Sequence, residues 1–165
     1  MKNIILILAL FTFVISHSQN KKNREAFTLE IVANEKQQYK AEIPQSAYFV
    51  KEKMLQIYCG EKVFVECEIA GDTISAMKVV EKNVHPEKTI EIKFSQDAKD
   101  RTKINTMLQL NNPFSKDLIY KAAMLTPSSD QWKSTSTIPV RANLMSFETW
   151  GYSIISLALM DWHFK

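Results

Sequence analysis

The sequence predicts an all-β domain, an antiparallel β-sandwich of roughly eight strands. Three observations predict it. Apolar and polar residues alternate along much of the chain after residue 25, the signature of strands with one buried face. Turn-forming residues interrupt these runs at roughly 10 to 15 residue intervals, the rhythm of a sandwich or barrel. No long amphipathic helical pattern lies between the runs, as a parallel α/β sheet would require.

The N-terminus carries the three parts of a secretory leader: Lys2 as the positive region, the apolar run Ile4 to Ile15, and Ser16-His17-Ser18 as a small-x-small cleavage site. The run is shorter than the roughly 18 apolar residues of a spanning helix, and a polar stretch follows it. We therefore expect a signal peptide at 1–18, a protein that leaves the bacterial cytoplasm for the periplasm or exterior, and no transmembrane anchor after cleavage. Cleavage after Ser18 leaves 147 of the 165 residues, enough for one domain. Residues 19–25, with Lys21, Lys22 and Arg24, read as a flexible basic tail, and 26–165 as a single sandwich domain.

Each strand follows from its pattern. Phe27, Leu29 and Ile31 alternate with Thr28 and Glu30; Val63, Val65, Cys67 and Ile69 with Glu66 and Glu68; Ile90, Ile92 and Phe94 with Glu91 and Lys93. Less regular runs at 54–59, 74–80, 104–110, 118–125 and 154–164 complete the expected set. Asn34, Pro44, Gly60, Gly71-Asp72, Asn83 to Pro86, Asn111-Asn112-Pro113 and Pro127 to Asp130 separate them. Between strands, 96–103 reads as a short helix capped by Asp97 or as a charged loop.

Only in size and strand rhythm does this pattern resemble immunoglobulin-like and fibronectin-like sandwiches. The Cys…Trp…Cys hallmark is missing, because no Trp lies between Cys59 and Cys67. In an oxidising compartment these two cysteines are a possible disulfide, and the alternative is that both pack as small buried hydrophobes.

Composition excludes several functions. After cleavage the net charge falls from +3 to +2 with the loss of Lys2, too near balance for a nucleic-acid partner. Gly60, Gly71 and Gly151 are the only glycines, and they are too isolated to form a phosphate-cradling loop. No cofactor motif is present. Asp161 and His163, two apart in a strand and so on one side of it, are the weak candidates for a metal or an acid–imidazole pair. His85, before Pro86, reads as a loop residue. The hydroxyls at Ser128, Ser129, Ser134, Thr135, Ser136 and Thr137 have no activating Asp–His partner in the sequence.

The last third is the most suggestive region. Trp132, Phe147, Trp150, Tyr152, Trp162 and Phe164 crowd there after a mostly aliphatic body. Aromatic rings serve a core, anchor a protein partner or stack on sugar. The stretch from Ile138 to Tyr152 lacks clean alternation and reads as a long ordered loop of the binding kind. The expectation is an exported, non-enzymatic binding or interaction module contacting an envelope protein through Trp132, Phe147, Trp150, Tyr152 and Trp162. A carbohydrate-binding domain using the same aromatics, with a glycan as ligand, is the first alternative. A small hydrolase or metal-dependent enzyme with Asp161 and His163 is the second.

Overall fold

The computed structural model describes residues 22–165; the leader expected at 1–18 and Lys21 lie outside the described residues. In chain order the strands are β1 (Asn23–Arg24), β2 (Phe27–Val32), β3 (Gln38–Ile43), β4 (Ser46–Ala47), β5 (Phe49–Lys51), β6 (Met54–Tyr58) and β7 (Lys62–Ala70). They continue with β8 (Thr73–Val80), β9 (Thr89–Asp97), β10 (Asn105–Asn111), β11 (Leu118–Leu125), β12 (Lys133–Thr135), β13 (Met145–Trp150) and β14 (Ser156–Phe164). One 3-10 turn, Pro86–Lys88, precedes β9.

Two five-stranded antiparallel sheets, ordered β13-β10-β9-β7-β8 and β12-β11-β14-β6-β5, form the sandwich, and the ribbons β1-β4 and β2-β3 complete it. All eight runs expected from alternation or apolar content are strands, and six further strands join them. Period-2 alternation explains the core. Ile90, Ile92 and Phe94 of β9 and Val63, Val65 and Cys67 of β7 turn inward and meet Leu55, Ile57, Leu118, Leu157 and Leu159 from the facing sheet. Each large apolar side chain buried this way contributes about 1.5–3 kcal/mol relative to exposure. The β7–β8 hairpin closes through Gly71-Asp72, with Gly71 at φ 60, the backbone that a tight two-residue turn demands.

Three expectations need correction. The 96–103 stretch forms no helix: β9 runs on to Asp97, and Asp97 and Asp100 accept backbone N–H bonds from Lys99 and Thr102 in turns. The side chain of Gln96 instead pairs with the backbone of Val32 on both sides, at 2.9 and 3.0 Å, and docks the β2–β3 ribbon. The basic segment is not a solvated tail at Arg24, which is 2 % exposed. Its guanidinium binds Glu61 through two bonds of 2.7 and 3.0 Å, lies 4.5 and 4.8 Å from the ring centroids of Tyr48 and Tyr58, and donates to Gln56 O and Ser46 Oγ. A fork of fixed donors flanked by π-faces is what makes such burial tolerable.

The third correction concerns the cysteines, which are free and buried. Cys59 follows β6, with its N–H on Ile155 O, whereas Cys67 lies in β7 of the facing sheet beside Met77. They pack as hydrophobes, and burial pushes their thiols up to about 11 and about 12 respectively. No helix among the described residues is long and apolar enough to cross a membrane.

Candidate functional site

After β12 the chain leaves one sheet, crosses the open side of the sandwich and enters the other as β13. Val140 bridges Leu118 on the way. The crossing is pinned by Asn112, fully buried, whose amide nitrogen lies 2.8, 2.9 and 3.1 Å from the carbonyl oxygens of Lys116, Val140 and Arg141. Asp117 adds a bond from Ala142 N and an ion pair with Arg141. Asn143, at φ 55, then turns the chain into β13, a left-handed conformation that Asn tolerates better than most residues.

β13 corrects the reading of 138–152 as a loop over Met145–Trp150, while 138–144 is the irregular connection expected. It pairs with β10 along its whole length, from Thr106↔Trp150 to Asn111↔Met145. Its alternation is inverted: Met145, Phe147 and Thr149 face outward and are exposed, while Ser146, Glu148 and Trp150 face the other sheet. Glu148 accepts a 2.6 Å bond from the Tyr120 hydroxyl and a 3.2 Å bond from Ile138 N. Burial, and then the neighbouring Glu148 carboxylate, hold the Tyr120 phenol far above its ordinary range, so it stays a donor.

The five predicted aromatics divide. Trp132 and Tyr152 are 44 and 47 % exposed and Phe147 is 53 % exposed. Trp150 turns inward, half-buried against the core, with its indole nitrogen 3.3 Å from Thr135 Oγ1. Trp162 does not belong to a binding surface: it is buried and stacks on Tyr120 at 5.1 Å. A bulge explains this placement. Ile119 pairs with His163 but Lys121 with Met160, so an extra residue enters β14 and Asp161 takes φ 56, which rotates Trp162 into the core.

The same bulge separates the chemistry of Asp161 and His163. Asp161 forms an ion pair with Lys121 at 2.9 Å, and His163 Nδ1 lies 2.7 Å from the main-chain oxygen of Asp161. No group of three or more His, Cys, Asp or Glu among the described residues is placed to hold a metal. The hydroxyl-rich stretch serves local structure: Ser129 Oγ accepts from Gln131 N, and Thr137 donates to Tyr120 O.

Sequence reasoning missed the exposed apolar residues Ile138, Leu144 and Met145, 55, 57 and 44 % exposed. Leu144 and Met145 lie close to Phe147 in the chain, and with Ile138 they make the crossing segment and β13 apolar at the surface. A cleft of about 390 Å³ lies near Tyr152, lined also by Asn34, Gln37, Ser128, Lys133 and Met124. Comparison with family models, curated proteins and solved structures returned no match.

Proposed function

We propose that this chain is an exported, non-enzymatic binding module of the bacterial envelope or exterior, and that a protein partner docks on the segment from Pro139 to Tyr152. The observation that carries the reading is the display of Leu144, Met145, Phe147 and Tyr152 on that segment, because contiguous exposed apolar side chains mark interaction surfaces. The leader pattern supports the location. The carbohydrate alternative is less well supported: near Tyr152, Asn34 and Gln37 bond each other, as do Thr126 and Ser128, which leaves few free polar groups for a sugar rim. A hydrolase using Asp161 and His163 has less support still, since each is engaged elsewhere.

In-cell cross-linking from the 139–152 segment, followed by mass spectrometry, tests the proposal. An envelope protein captured by the unaltered chain and lost on Leu144→Lys or Phe147→Lys, with the fold intact by circular dichroism, is the expected result. Capture unaffected by both substitutions overturns it, and a tryptophan-fluorescence response to soluble glycans instead would move the site to sugar.

A further inference from the structure

We infer that β13 is a self-pairing edge, and that the partner on this segment includes a second copy of the chain, joined β13 to β13 antiparallel about a two-fold axis at Phe147. The inference rests on the binding reading above and names its partner. Asn112 N donates to Leu144 O at 2.9 Å, and these residues stand directly opposite in the β10–β13 register. Hydrogen-bonded and non-hydrogen-bonded pairs alternate along an antiparallel ladder, so Ser146, Glu148 and Trp150 bond β10. The main-chain N–H and C=O of Met145, Phe147 and Thr149 therefore point to the free side.

Among the described residues the two large sheets have four edges, and β13 is the one that carries none of the usual protection. β5 and β12 are three residues long. β8 carries Lys78, pairs through a bulge at Glu68/Ile69, and has its Ile74 carbonyl capped by Lys53 Nζ at 2.6 Å. Short length, lysines and bulges are the devices that keep edges from pairing. β13 has six residues, no lysine, no proline and no bulge, and it turns Met145 and Phe147 outward.

A second copy fits the pattern of free groups. A two-fold at Phe147 sets each Phe147 against its equivalent and each Met145 against Thr149 of the other copy, all of them residues with outward N–H and C=O, so every pair exchanges two bonds. No like charges meet. Ser146 falls opposite Glu148 of the other copy at a non-hydrogen-bonded position, where side chains come closest. The Ser146 hydroxyl is a buried polar group without a partner among the described residues, and this pairing supplies an acceptor.

Sedimentation equilibrium on the mature protein, with hydrogen exchange on the same samples, tests the inference. The average mass should climb toward twice the monomer between about 1 μM and 1 mM, the range expected for a small interface. Amides of Met145, Phe147 and Thr149 should gain protection with concentration, while those of Ser146, Glu148 and Trp150 stay protected throughout. Met145→Lys with Thr149→Lys sets ammonium groups against each other and should raise the dissociation constant at least about tenfold, whereas Met145→Lys with Thr149→Glu should restore pairing. A mass and exchange pattern independent of concentration, or equal behaviour of the two double variants, overturns the two-fold pairing. A monomer that still captures an envelope protein through 139–152 sinks this inference alone; a monomer that captures nothing sinks the binding reading with it.

Discussion

The Tyr120 hydroxyl of β11 donates a 2.6 Å hydrogen bond to the Glu148 carboxylate of β13, and so ties the two sheets together across the open side of the sandwich. Tyr120 is 1 % exposed and stacks on Trp162, so its ring is held with or without the bond. Tyr120→Phe should keep the stack and cost about 1–3 kcal/mol, the usual penalty for removing one partner of a part-buried charged hydrogen bond. Urea denaturation of the two proteins measures the difference, and equal midpoints would show that the bond contributes nothing.

Arg24 and Glu61 form a second long-range tie. Glu61 is 12 % exposed at its side chain and also accepts from Tyr58 N at 2.7 Å. Arg24→Ala strands that carboxylate and should destabilise the domain by about 3–5 kcal/mol. Arg24→Lys should recover only part of the loss, because one ammonium cannot reproduce the two-pronged bond between flanking rings. Full recovery in thermal unfolding would reduce the site to simple charge neutralisation.

Acid should weaken the fold in part through Glu66. Burial pushes its carboxyl up, but bonds from Lys78 and Lys88 and their charges outweigh burial and hold it below the ordinary range. A lowered folded value means stability that is fully present above the unfolded pKa of about 4.3 and lost as pH falls through the folded one. The stability gap between the unaltered protein and Glu66→Gln should therefore narrow on acidification from pH 6 to pH 3. A gap constant across that range would remove Glu66 from the acid response.

Both cysteines should resist reaction in the native state. With thiols raised to about 11 and about 12 and the two residues 4 and 0 % exposed, almost no accessible thiolate exists at pH 8. A chromogenic thiol reagent should find none in the folded protein and both after unfolding in guanidinium. One thiol or fewer after unfolding without reductant would reveal a covalent bond.

Where one face of a strand is apolar and buried, the sequence pattern sufficed: β2, β7 and β9 alternate cleanly, and the sandwich follows from them. β13 escaped because its alternation runs the other way, with Met145 and Phe147 outward and Ser146 and Glu148 inward, and periodicity ties strands to cores rather than to edges. The inward turn of Trp162 is hidden for a different reason. A single extra residue at Asp161 changes which side every later side chain takes, and no local composition announces a bulge. Arg24 reads as a solvated cation in the sequence because its acceptor, Glu61, is 37 residues away.

Asn112 has one more consequence. By fastening the crossing segment to the β10–β11 loop through the carbonyls of Val140 and Arg141, it ties the route to β13 and β14 back to their own molecule. Proteins that trade C-terminal strands between copies need a hinge that can open and straighten. Here the would-be hinge is riveted, so the self-pairing inferred for β13 would proceed by addition at the rim rather than by exchange of parts, and would reverse on dilution.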